Sequence, residues 1–160
     1  MIEKLEGTHE TVNYKKNTNI KLYDNSEYEE YPDHWHSSLE IVMPIKGLYY
    51  GVCAGDDIRL RENDVFIVCP GTIHHYYACK GERLIFQIDF NVIHHIRALE
   101  SVMSMLSPSY LITPESQPAI HDKIQKMLIE IMDIYNSDEL MTEARIYAIM
   151  INVFVMIGRN

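Results

Sequence analysis

The chain has 160 residues, 47% of them hydrophobic, which suits one globular domain whose core needs no disulfide staples. Its formal net charge is −9, and its 14 lysines and arginines are scattered, with only Lys15 and Lys16 adjacent. That balance excludes a surface able to grip nucleic acid within these residues, and it disfavours anionic membranes as partners.

The opening MIEKLEGTHE is polar and reads as no secretory signal. The longest apolar run, residues 146–157, is interrupted by Asn152 and is shorter than the ~20 residues of a membrane span. Cys53, Cys69 and Cys79 are odd in number and match no zinc-ribbon spacing, so they read as reduced, buried thiols of a cytoplasmic protein.

In chain order, residues 1–14 read as loosely attached. Alternation around Ile20 and Leu22 suggests a strand, and residues 25–33 read as an acidic loop. From Leu39 to Phe90, short β-branched or aromatic runs (LEIVMPI, LYYGVCA, IRL, VFIVC, TIHHYYAC, RLIFQIDF) are cut by turn sequences such as Gly55-Asp56-Asp57 and Pro70-Gly71. Such spacing predicts an all-β sandwich or barrel.

Beyond Phe90 the apolar spacing becomes helical. Val92, Ile96, Leu99 and Val102 suggest a short helix, stopped at Ser107-Pro108. Thr113-Pro114 reads as the start of a second, striped by Ile120, Ile124, Met127, Ile131 and Ile134. A third begins near Asp138-Glu139, with Leu140, Ala144, Tyr147, Ile151 and Phe154 on one stripe and further apolar residues around it. A helix apolar nearly all round must be covered on several sides, so that stripe reads as a subunit interface; the competing reading is an ordinary core helix.

The stretch HWHSSLE carries the chemistry. Side chains of a strand alternate faces, so His34, His36 and Glu40, all at even positions, share one face. His74 in TIHHYYAC shares its face with Tyr76, while His75 and Tyr77 point the other way. Two strands of a curled sheet would thus aim three imidazoles and a carboxylate at one point. Such a set suits one divalent metal ion (Zn, Ni, Mn or Fe), or a small ligand without metal, and Tyr76 adds a hydroxyl. A packed interior in which the histidines are merely hydrogen-bonded is the bland alternative. His94-His95, His9 and His121 read as surface residues.

At these residues the sequence resembles the cupins. HWHSSLEIVMPIKG fits their first motif at His34, His36, Glu40 and Gly47. NDVFIVCPGTIH fits the second at Gly71 and His74, with Asn63 in place of a glycine, Cys69 in place of a proline, and Ala78 in place of an asparagine. The order of motifs, the closing LIFQIDF and the trailing helices are similar to the N-terminal sensor domain of AraC/XylS-type transcriptional regulators, over roughly residues 15–160.

The resemblance implies a mainly β chain with C-terminal α structure: a cupin-like double-stranded β-helix, or jelly-roll barrel, over residues 1–90, then two to three helices in a dimerisation segment over 91–160. It implies a small-molecule effector bound at His34, His36, Glu40, His74 and Tyr76. It also implies a homodimer through the C-terminal helices, and DNA contact only through a helix-turn-helix domain outside these residues. The rival expectation is a stand-alone metal-dependent cupin enzyme of dioxygenase or isomerase type. No separate general acid or base is legible, so no catalytic residue is assigned and the non-enzymatic reading leads.

Overall fold

A computed structural model describes residues 2–137 and 139–160. A small hairpin, β1 (Leu5–Glu6) and β2 (His9–Glu10), precedes β3 (Ile20–Asn25) and β4 (Tyr31–His34). The strand series continues as β5 (Leu39–Lys46), β6 (Tyr49–Cys53), β7 (Asp56–Leu60), β8 (Val65–Val68), β9 (His74–Tyr76) and β10 (Glu82–Ile88). A 3-10 turn at Phe90–Val92 leads to α1 (Arg97–Leu106), β11 (Ser109–Ile112), α2 (His121–Asn136) and α3 (Thr142–Gly158).

Two larger antiparallel sheets are formed, ordered β11-β8-β5-β10-β3 and β4-β9-β6-β7. The double-layered β body followed by helices is therefore present, although the strands do not join into one closed barrel among the described residues.

The five-stranded sheet is buried on both faces, which explains its unbroken apolar runs. Leu39, Ile41 and Met43 of β5, Val65 and Ile67 of β8, and Leu84, Phe86 and Ile88 of β10 pack in one cluster with the helices. The alternate residues Val42, Phe66, Val68 and Ile85 turn the other way and pack on Tyr49, Leu60 and Tyr76 of the second sheet. Period-two alternation thus separates a helix-facing core from an inter-sheet core. Each fully buried large apolar side chain contributes about 1.5–3 kcal/mol by leaving water.

The turns account for the motif residues. Gly47 has φ +84°, and a Cβ there would lie 2.9 Å from the Lys80 carbonyl oxygen. Asn63 occupies the left-handed region at φ 70°, where asparagine is tolerated better than most residues, so it serves at a position where the related motif has glycine.

The helical half differs from the sequence reading in four places. Val92 and Ile96 are exposed and precede α1, whose buried face is Leu99, Val102 and Leu106. Residues 109–112 form a strand that extends the five-stranded sheet beside β8. Thr113 and Ser116 close a hydrogen-bonded turn, and α2 begins only at His121, burying Leu128 between Ile124 and Ile131 while Met127 is partly buried.

The fourth difference concerns α3. Of the stripe assigned to dimerisation, Tyr147 and Phe154 are buried in the chain's own core. Tyr147 donates to the Asp89 carbonyl at 2.8 Å, and Phe154 meets Phe90 edge to face at 5.6 Å. Leu140 lies before the helix and is 92% exposed, Ala144 is exposed and Ile151 is half-buried. A helix embedded against the five-stranded sheet and its neighbours needs apolar residues over a wide arc, and intrachain packing meets most of that need.

Candidate functional site: a triad of histidines between two sheets

β4 ends at His34, the chain bends through Ser37 and Ser38, and β5 begins at Leu39. The bend brings His36 beside Glu40, the second residue of β5. His74 opens β9 and is the register partner of His34. The three histidines, Glu40 and Tyr76 meet between the sheets, and each is nearly inaccessible to solvent. The His34 and His74 rings lie 4.1 Å apart and the His36 and His74 rings 5.1 Å apart. One nitrogen from each of the three imidazoles falls within 4.8 Å of the others.

The backbone fixes the tautomers. Nδ1 of His34 lies 2.7 Å from the Pro32 carbonyl, Nδ1 of His36 3.0 Å from that of Ser38, and Nδ1 of His74 2.9 Å from that of Thr72. A carbonyl oxygen only accepts, so each Nδ1 must carry the proton and donate it. In the neutral ring, Nε2 is then a bare lone pair aimed at the common centre. His74 Nε2 is buried and has no hydrogen-bond partner among the described residues.

Glu40 anchors the arrangement. It accepts from the Tyr76 hydroxyl at 2.9 Å and from the Gln87 amide at 3.3 Å. Its Oε2 lies 3.1 Å from His36 Nε2, and its Oε1 lies 3.6 Å from His74 Nε2. The His36 contact is a hydrogen bond only when that ring is a full imidazolium. Tyr49 stacks on Tyr76 at 4.9 Å, holding the phenol in place.

Electrostatics separate the three rings. Burial pushes the His34 pKa down to about 4, with the neighbouring His74 acting in the same direction. Burial also lowers His74, against the pull of Glu40. Burial opposes protonation of His36 too, but the adjacent Glu40 carboxylate prevails and its pKa is raised. For Glu40, burial favours the neutral acid, yet the surrounding imidazoles outweigh it and hold the pKa well below the usual carboxylate range.

Three more side chains complete the site, and the sequence reading did not assign them. Glu10 of β2 is 2% exposed; its Oε2 lies 3.8 Å from His34 Nε2 and 3.9 Å from His36 Nε2. Gln87 bridges both carboxylates, donating to Glu10 at 3.1 Å as well as to Glu40. Tyr23 donates to the Gln87 carbonyl oxygen at 3.0 Å. Gln87 is legible in principle, since it interrupts the apolar run RLIFQIDF; nothing in LEGTHETVN marks Glu10.

Among the outlying residues, His75 faces away as expected, 3.3 Å from Glu30. His9 is half-buried and packs on Trp35 at 4.5 Å. His121, read as a surface residue, is instead buried at the start of α2, where its Nε2 donates to the Asn63 carbonyl at 2.9 Å. Cys53 and Cys69 are buried free thiols and Cys79 is partly buried.

The residues present fit a divalent cation. Three lone pairs backed by fixed Nδ1–H donors, one of them on an orphaned buried nitrogen, form the ordinary first and second layers of a histidine metal site. Beside the triad, a cavity of about 20 Å³ is bordered by Glu10, His34, Glu40 and Gln87 and walled by tyrosines and isoleucines; His36 and His74 do not line it, and it has room for one water-sized occupant.

The AraC-like ligand binding domain family matches residues 20–150. A structure of a point variant of apo ToxT from Vibrio cholerae superposes with a TM-score of 0.55 at 12% identity, covering 89% of this chain and 57% of that one. The AraC-like transcriptional activator CuxR gives a TM-score of 0.56 at 5% identity, covering 78% and 42%. This chain thus spans about half the length of either regulator, and the likeness is one of fold. A point mutant of salicylate 1,2-dioxygenase from Pseudoaminobacter salicylatoxidans matches more loosely, at a TM-score of 0.36 and 16% identity over 57% of this chain and 24% of that one. Sequence comparison with curated proteins returns no match. Among the described residues, no helix is long and apolar enough to cross a membrane.

Proposed function

Because this chain belongs to the AraC-like ligand-binding domain family, we propose that it is the sensing part of an AraC-type transcriptional regulator, with His34, His36, His74 and Glu40 as its effector site. The occupant that the site fits is a single divalent transition-metal cation, drawn from Zn, Ni, Mn and Fe. One observation carries this reading: three buried Nε2 lone pairs converge, with all three Nδ1 atoms already donating to backbone carbonyls. Lone pairs gathered in a dry site repel one another unless a proton or a cation stands between them, and His36 alone has a raised pKa.

Drug-sized ligands occupy pockets of about 300–1,000 Å³. A cavity of about 20 Å³ admits an organic effector only after the walls move. The same limit weighs against an enzymatic reading, which needs a substrate beside the metal. Tyr76 is a positioning residue in this proposal: its hydroxyl holds Glu40 in place.

DNA contact belongs to a separate part of the regulator, consistent with the acidic charge of these residues. Dimerisation would use the outward face of α3, where Ala144, Ala148 and Val155 are exposed and Ile151 is half-buried.

Calorimetric titration of metal-free protein tests the site. Wild type should take up one cation per chain, and His74→Ala should lose that binding while keeping its fold by circular dichroism. Equal uptake by the variant and wild type would refute the assignment.

A further inference from the structure

The cupin-like motif accounts for His34, His36, His74 and Glu40, but not for Glu10. This second carboxylate comes from the short hairpin far upstream of the motif and is 2% exposed. Its position is fixed twice by the backbone: the Glu10 amide donates to the Trp35 carbonyl at 2.9 Å, and the Trp35 amide donates to the Thr8 carbonyl at 2.8 Å. Trp35 lies between His34 and His36, so β2 is tied to the segment that carries two of the imidazoles.

A buried carboxylate needs an opposite charge or a full set of donors. Among the described residues, Gln87 is the side chain that donates to Glu10, at 3.1 Å. Lys21, the nearby lysine, is paired with Glu3 at 2.7 Å. The Glu10 Oε2 is nearly equidistant from two Nε2 atoms, at 3.8 Å and 3.9 Å, and His74 Nε2 has no hydrogen-bond partner among the described residues. Donor atoms about 2.1 Å from one ion and at right angles to each other sit roughly 3.0 Å apart. These two separations exceed that by less than an ångström; the donor atoms that lie within 4.8 Å of one another are those of the three histidines, so ligation by Glu10 requires its side chain to move toward the triad.

We propose that Glu10 is a further protein ligand of the cation at the histidine triad, so that the site offers three nitrogens and two carboxylates. The inference rests on the cation reading of the site. Five protein donors exceed the four of an ordinary structural zinc site and favour the five- or six-coordinate ions Mn, Fe, Co and Ni. Gln87 positions the two carboxylates relative to each other through one amide group. Glu10 is thus the residue that sets metal preference.

Cobalt(II) reports coordination number through its visible absorption, which is weak in five- or six-coordinate sites and strong in tetrahedral ones. Wild-type protein titrated with Co(II) should bind one equivalent with weak visible bands. Glu10→Gln should bind at least tenfold more weakly or shift to the strong tetrahedral spectrum, and should lose preference for Mn(II) over Zn(II). Glu10→Asp keeps the charge on a shorter arm and serves if the glutamine variant does not fold; it should show the same shift to a smaller extent. An unchanged affinity and spectrum in the folded variants would overturn the role of Glu10 while leaving the triad as the cation site. Failure of wild type to bind any cation would overturn both.

Discussion

Each of the three histidines has one nitrogen occupied by a backbone carbonyl and one lone pair left to give. The arrangement has a measurable cost in metal-free protein. His34 has a folded-state pKa of about 4, below the 6.5 of an unperturbed histidine. Between those values the unfolded chain binds a proton that the folded chain refuses, so stability falls as pH drops from 6.5 toward 4. Above 6.5 the group contributes no slope. At 1.36 kcal/mol per pKa unit the loss is on the order of 3 kcal/mol. His74 and Glu40, both lowered, act in the same direction, Glu40 below its own unfolded value. His36, which is raised, opposes them: its contribution is complete below 6.5 and disappears as pH rises through its folded value. Urea unfolding at a series of pH values should therefore show a shallower acid slope in His34→Gln than in wild type. Parallel curves would contradict the assigned protonation states.

At the scale of elements, α3 separates intrachain packing from the face left for a partner. Phe154→Ala should cost about 3–5 kcal/mol, because it opens a cavity beside Phe90 in the main core. Val155→Glu changes an exposed position on the same helix and should leave stability within ~0.5 kcal/mol. If the outward face is the dimer contact, sedimentation of Val155→Glu should show monomer where wild type shows dimer; an unchanged wild-type dimer would rule that face out. The strands from β5 to β10 were legible because turn sequences bracket short apolar runs. His34, His36, Glu40 and His74 could be picked out from their spacing in HWHSSLE and TIHHYYAC, but strand alternation is not what joins them: Glu40 reaches the histidines through the bend at Ser37 and Ser38. β11 was not legible: SYLI is too short to signal a strand and owes its state to pairing with β8. Glu10 was invisible for a similar reason, since its burial depends on a hairpin docking onto Trp35 and no local pattern specifies that contact. The α3 stripe misled because helical periodicity locates an apolar face without saying whether its cover comes from the same chain.

For the whole molecule, the placement of the site suggests how occupancy reaches the helices. β5 holds Glu40 against the histidines and, at the alternate positions Leu39, Ile41 and Met43, packs into the core formed with α1, α2 and α3. A ligand shifts a conformational equilibrium only by its difference in affinity for the two states. A strand with one face on the ligand and the other on the helices is a short physical route for such a difference. A cation bound at the triad is read from its own scattering by X-ray absorption spectroscopy of protein loaded with one equivalent of Ni or Mn. The expected spectrum has a first shell of nitrogen and oxygen, with outer-shell scattering from three imidazole rings. A shell containing sulfur from Cys53, Cys69 or Cys79, or one with fewer than two imidazoles, would contradict it.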